Sequence, residues 1–129
     1  MSRRKIIVEF PEIDVRVDIE LDYARAPKTV QAILEKLPIE VKINRWGDEL
    51  YTDTIPVKAK EENARSLVDL MDVAYWPQRQ ALCLFFGPTP ISNGDEIKPY
   101  SPVNVIGKIV SKENIVKQVD DSTSVIIRK

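Results

Sequence analysis

Residues Leu82 to Phe86 form an unbroken apolar run, with Tyr75-Trp76-Pro77 before it and the breaker Gly87-Pro88-Thr89-Pro90 directly after it. The run is too short for a core helix and regular structure stops on both sides of it. It therefore reads as a central strand buried on both faces. Its aromatic and proline-rich edges point to a fold more firmly than to an activity.

The rest of the chain supplies strands of the half-buried kind. Ile6, Val8 and Phe10 alternate with their neighbours. After a turn at Pro11 and Glu12, the residues Ile13, Val15, Val17, Ile19 and Leu21 alternate strictly with Asp14, Arg16, Asp18 and Glu20, which makes a hairpin. Pro27 suits the first turn of a helix, and Val30, Ile33, Leu34 and Leu37 follow at helical spacing until Pro38. Val41 and Ile43 resume alternation, Trp46-Gly47-Asp48-Glu49 supplies a turn, and Leu50, Tyr51, Ile55 and Val57 continue extended. Leu67 to Trp76 reads as a further strand, Gly87 to Pro102 as a long ordered loop, Val103 to Ile109 as a buried strand broken by Gly107, Glu113 to Val119 as a short helix and Val125 to Ile127 as a last strand. About eight strands with two helices predict a mostly β fold, a closed eight-stranded barrel capped by two helices, with an open sandwich as the alternative. Leu82–Phe86 and Val103–Ile109, the most apolar runs, are expected to be central and adjacent. Residues 1–129 read as one domain.

Composition narrows the chemistry. Lys and Arg number 19 against 20 Asp and Glu, interleaved along the chain, so no basic stripe suggests a nucleic-acid partner. The densest basic cluster, Arg3-Arg4-Lys5, reads as a solvated, frayed terminus. Cys83 is the only cysteine, which rules out an intramolecular disulfide and fits a reducing setting. No apolar stretch reaches the ~20 residues of a membrane span, and no leader is apparent, so a cytoplasmic, soluble protein without a membrane partner is expected. Histidine is absent, which removes the commonest general base and the commonest zinc ligand. Asp48, Glu49 and Asp53 lie close together, yet their spacing matches no cation loop and reads as a solvated turn. No metal or cofactor is expected.

Four segments, in order, carry a resemblance: Trp46-Gly47-Asp48-Glu49-Leu50-Tyr51, Asp72-Val73-Ala74-Tyr75-Trp76-Pro77, Leu82-Cys83-Leu84-Phe85-Phe86-Gly87-Pro88-Thr89-Pro90 and Val103-Asn104-Val105-Ile106-Gly107-Lys108-Ile109. Together they resemble the small archaeal and bacterial cyclophilin-like proteins over nearly the whole chain. The resemblance implies the barrel of the cyclophilin prolyl isomerases and brings no established activity with it. Likeness to true cyclophilins is confined to Leu82–Ile109. Val103 stands where those enzymes have a histidine, and their Phe-His-Arg segment with its downstream Gln-Gly-Gly-Asp has no counterpart, so no catalytic residue is assigned.

Prolyl isomerisation needs an apolar cup and a donor that weakens amide resonance, against a barrel-independent barrier of ~20 kcal/mol. Phe85 or Phe86 with Trp76 would form the cup and Arg45 or Arg79 the donor, although strand alternation puts the two phenylalanines on opposite faces. Trp46 at a hairpin tip touches a ligand or lids the barrel. Tyr75 and Trp76 rim a groove or cover the core. Glu49 with Asp48 makes a carboxylate pair or simply a turn. Cys83 reads as a buried, inert thiol. The candidate ligand-binding set is Arg45, Trp46, Glu49, Tyr75, Trp76, Phe85 and Phe86. The reading it favours is a binding module for a proline-containing peptide or small apolar ligand; the alternative is an unorthodox isomerase with a relocated arginine.

Overall fold

The structure, a computed structural model, describes residues 3–129. Its elements in chain order are β1 (Arg3–Phe10), β2 (Val15–Asp22), α1 (Pro27–Lys36), β3 (Ile39–Trp46), β4 (Glu49–Thr52), β5 (Asp72–Trp76), β6 (Ala81–Phe85), β7 (Asn104–Ile109), α2 (Glu113–Val116) and β8 (Thr123–Arg128). The strands close into a barrel in the order β1-β2-β7-β5-β6-β4-β3-β8, with β8 pairing back onto β1 and every pair antiparallel. Closure leaves the barrel without an unpaired edge.

Alternation explains the first hairpin. Ile6, Val8 and Phe10 face the barrel interior with Val17, Ile19 and Leu21, while Glu9, Asp18 and Glu20 face outward, half-exposed. Two expectations change here. Ile13 is 41% exposed, because a 3-10 turn over Pro11–Ile13 and a positive φ at Asp14 interrupt the period, so β2 alternates only from Val15. Arg3, Arg4 and Lys5 are the opening residues of β1, opposite Asp22, Leu21 and Glu20, and not a frayed end; the register set by Ile6–Phe10 carries pairing through them.

The helix α1 buries Thr29, Val30, Ile33 and Leu34. Its first turn is held from far along the chain. The Glu62 carboxylate accepts from the backbone N–H groups of Lys28 (3.1 Å) and Thr29 (2.9 Å) and from the Thr29 hydroxyl (2.8 Å), filling the place of a capping side chain. Buried Asn104, at the start of β7, accepts from Glu62 N–H and donates to Thr29 Oγ1 and the Lys60 carbonyl. Since α2 begins just past the far end of β7, the two helices close opposite ends of the barrel. Val116 and Val119 belong to the same interior core as the buried α1 residues.

A second apolar layer lies outside the barrel. Val68, Ala74, Trp76, Ala81, Cys83, Phe85, Ile97, Val103 and Val105 form it on the outer faces of β5, β6 and β7 and on the segments that cover them. Leu82, Leu84 and Phe86 point inward, so β6 is buried on both sides. The expected adjacency of Leu82–Phe86 and Val103–Ile109 does not occur, because β5 lies between them, paired with β6 on one side and β7 on the other. β5 itself begins at Asp72, and Leu67–Met71 lies outside any strand, docked by a bridge from Val68 to Ile97 and by Met71, whose N–H donates to the Phe85 carbonyl and whose carbonyl accepts from Ile109 N–H. Ile55 and Val57 are buried but outside any strand. Gly107 does not break β7. A register shift opposite Val73 and Ala74 changes its phase, sending Val103 and Val105 to the outer layer and Ile106 and Ile109 to the interior. A Cβ at Gly107 would sit 2.2 Å from the Glu20 carbonyl oxygen, so only glycine lets β2 and β7 approach.

Candidate functional site

The β3–β4 hairpin tip is fastened to the segment after β6. Gly47, with φ +62°, lies so close to Pro90 that a Cβ would meet its ring at 2.8 Å. Asp48 N–H donates to the Pro88 carbonyl (3.0 Å) and Phe86 N–H to the Asp48 carbonyl (2.9 Å). Beside this junction Trp46, Tyr51, Trp76, Gln78, Arg79 and Tyr100 line a groove of about 450 Å³. Its walls are aromatic. Tyr51 meets Trp76 edge-on at 5.8 Å between centroids, Trp46 meets Tyr100 edge-on at 6.1 Å, and Trp76 and Tyr100 are tilted at 5.9 Å, all within the range of favourable ring pairs. Trp76 is held by its indole N–H, which donates to Ser101 Oγ at 2.6 Å. The Arg79 guanidinium lies 5.5 Å from the Trp76 ring centroid.

Glu49 lies on the same side of the sheet. It starts β4 directly opposite Trp46, pairs across β6 with Phe85, and shares a face with Tyr51 two residues on, while Leu50 between them points into the barrel. It is 2% exposed, not the solvated turn residue that its neighbours Gly47 and Asp48 suggest. Burial pushes its carboxyl up from the ordinary 4.5 to about 7, opposed by a hydrogen bond with the Cys83 thiol. Burial and the Glu49 carboxyl in turn push the Cys83 thiol well above its usual range. A thiol so held is a poor nucleophile.

The remaining sequence candidates are distributed over three environments. Trp46 and Trp76 line the groove, and Phe85 lies in the apolar layer that supports it. Phe86 faces the barrel interior, where Arg45 covers it with its guanidinium 5.1 Å from the ring centroid. Arg45 is fully engaged there. It donates to the carbonyls of Gly47, Lys117 and Val119 and to Asp48 Oδ1, tying the hairpin to the α2 end of the barrel. Tyr75 is wholly buried in the interior core, donating its hydroxyl to the Val57 carbonyl at 2.6 Å and accepting from Ala59 N–H at 3.3 Å. Tyr51, Gln78 and Tyr100 complete the groove without having been singled out in the sequence. Tyr51 carried a signal in its shared parity with Glu49; Tyr100 lies between Pro99 and Pro102, where no periodicity tells which way a side chain turns. Among the described residues no group of three or more His, Cys, Asp or Glu side chains is placed to hold a metal, and no helix is long and apolar enough to cross a membrane.

Comparison with known proteins decides the relationship. The sequence profile of the family described as cyclophilin-like matches residues 4–128. The chain belongs to the cyclophilin-like family. The solution structure of a hypothetical protein from Archaeoglobus fulgidus is similar at 45% identity with a TM-score of 0.82, covering 98% of this chain and 95% of that one. McbB, solved in complex with tryptophan, is similar in fold at 16% identity with a TM-score of 0.76, covering 96% of this chain and 44% of that one. No curated protein matches the sequence.

Proposed function

We propose that this cyclophilin-like protein is a binding module whose groove receives a compact apolar ring, that of a proline in a peptide or of a small ligand. The observation that carries this reading is the set of four rings, Trp46, Tyr51, Trp76 and Tyr100, arranged around one concave space of about 450 Å³. Such a volume and lining suit a small ligand or one or two residues of a peptide. Binding without turnover fits the missing cyclophilin histidine and arginine segment, the engagement of Arg45 at the barrel end and the inert Cys83 thiol. The module is proposed to be a single domain over residues 1–129, working in the reducing cytoplasm that suits a free buried thiol, with neither nucleic acid nor membrane as partner.

The protein has two tryptophans, so its two indole N–H resonances report on the groove directly. Titration with a proline-rich peptide or with tryptophan, the ligand of the distant McbB structure, should move both resonances saturably with at least one of the two probes. Trp76→Ala should weaken that binding by about 10-fold or more, as for a central aromatic anchor. The absence of saturable shifts with both probes at millimolar concentration would refute the reading.

One observation favours a second reading, a prolyl isomerase. Arg79 shares the concave face with Trp76 and would serve as the donor to a substrate amide. A coupled isomerisation assay tests it. Activity abolished by Arg79→Ala supports the isomerase, and background rates for the wild-type protein dispose of it.

A further inference from the structure

Among the described residues, Glu49 Oε1 is the buried side-chain polar atom that has no hydrogen-bond partner. The contrast with Asp72, also fully buried, is informative: Asp72 is satisfied by Lys108 Nζ at 2.9 Å and by Asp69 N–H at 2.8 Å, with Arg25 at 4.0 Å. An uncommitted buried acceptor is a standing cost to the fold, and such groups concentrate where a ligand supplies what the protein withholds.

Resting on the groove reading above, we propose that Glu49 is the groove's anchor and that its ligand carries a protonated amine beside its flat ring, the ammonium bonding the Glu49 carboxylate while the aromatic walls enclose the ring. Three observations converge on this. Glu49 lies beneath the groove and outside its lining, on the same face of the sheet as Trp46, opposite it across the hairpin, and Tyr51, two residues along β4. The nearest cation in sequence, Arg45, is turned away and fully bonded to Gly47, Lys117, Val119 and Asp48. Aromatic faces attract cations, and the Trp76 wall already stacks one, Arg79. An ammonium brings three donors to a carboxylate that has an oxygen free to accept.

The titratable and charged groups in the groove lining and the apolar layer beneath it are the Cys83 thiol from β6, the phenols of Tyr51 and Tyr100 and the Arg79 guanidinium at the β5–β6 turn, while Asp48, next to Glu49 in sequence, is paired with Arg45. Of these Cys83 contacts Glu49. Because burial holds the Glu49 proton up to about pH 7, an ammonium that binds the carboxylate must displace that proton in acid. Affinity should then fall tenfold for each pH unit below 7, about 100-fold at pH 5.

The experiment compares tryptamine, protonated at both pH values, with neutral 3-ethylindole by calorimetric titration at pH 5 and pH 8, on wild-type protein and on Glu49→Gln. The expected result is tryptamine preferred by about 10-fold or more at pH 8, that preference lost at pH 5, and both effects removed by Glu49→Gln while 3-ethylindole binding is unchanged. Equal affinity of the two probes, or a tryptamine preference that survives Glu49→Gln, overturns the role of Glu49 and leaves the groove reading standing. Failure of both probes to bind the wild-type protein overturns the two together.

Discussion

Holding a carboxyl under an aromatic layer makes folding depend on pH in a direction opposite to that of most acidic residues. In the folded chain the Glu49 carboxyl titrates near 7, against an ordinary 4.5. Between those values the folded state keeps a proton that the unfolded state has lost. Stability from this group is therefore complete below about pH 4.5, declines as pH rises, and levels off above pH 7. A shift of about 2.5 units corresponds to about 3 kcal/mol, a large part of the 5–15 kcal/mol typical of a domain. Glu49→Gln keeps the shape and removes the titration. Urea denaturation at pH 4.5, 6 and 7.5 should show the wild-type protein losing about 3 kcal/mol relative to Glu49→Gln across the series, equivalent to about 10 °C in Tm for a chain of this size. The window is clean at both ends. Glu12, lowered by the backbone N–H and then the hydroxyl of Ser124, and Glu62, where burial pushes up but bonds from Thr29 and Lys28 prevail, change stability in the opposite sense in stronger acid. Cys83 acts only in more alkaline solution, where an unfolded thiol ionises. Parallel pH profiles for the two proteins would show that Glu49 is not held neutral by burial, and the linkage argument would fail.

Three other perturbations test the architecture. Gly107→Ala drives a methyl group to within 2.2 Å of the Glu20 carbonyl oxygen and 2.9 Å of Leu21 Cα, backbone atoms that move only by loosening the β2–β7 pairing; a loss of about 3 kcal/mol in urea denaturation is expected, and a loss below 1 kcal/mol would mean the strands do not approach this closely. Glu62→Ala strips the acceptor from the first turn of α1 and should cost about 1–2 kcal/mol near neutral pH. Because the folded Glu62 carboxyl is lowered, that difference should shrink as pH falls below about 4.5 toward the folded value, and a difference independent of acid would contradict the capping role. Arg45→Ala should lower stability by about 2 kcal/mol through lost carbonyl contacts and lost cover over Phe86, while the ligand-induced shifts of the Trp46 and Trp76 indole resonances persist; loss of binding with stability intact would place the site at the barrel end instead.

The parts of the fold that were legible in the sequence are those whose cause is local. β2 announces itself because one face is wet and the other dry, so Val17, Ile19 and Leu21 alternate with charges. β6 does so by the opposite pattern, since Cys83 and Phe85 meet the outer layer while Leu82 and Leu84 meet the core. The order of strands around the barrel has no such local cause. That β5 pairs with both β6 and β7 is a matter of partners chosen across the whole chain, and apolar content alone could not distinguish being central from being adjacent.

The site was harder to read for the same reason, sharpened by the chemistry of the hairpin. Asp48 and Glu49 are interchangeable as turn residues, so composition places both in solvent. What separates them is phase. Leu50 is fully buried in the barrel interior, and in a strand its two neighbours must then face outward. Outward at this point of the sheet is not solvent, because Phe85 and Cys83 on β6 belong to the buried outer layer there and Trp46, half-buried, stands opposite Glu49 across the hairpin. Asp48 lies one residue before the strand and escapes to its ion pair with Arg45. A slip of one residue would seat Asp48 under the aromatic rings and expel Leu50 from the core. The same register that secures Leu50 therefore forces Glu49 beneath the groove. The burial of this acid follows from the packing of its apolar neighbour, and a search of the sequence for acidic patterns would not have found it.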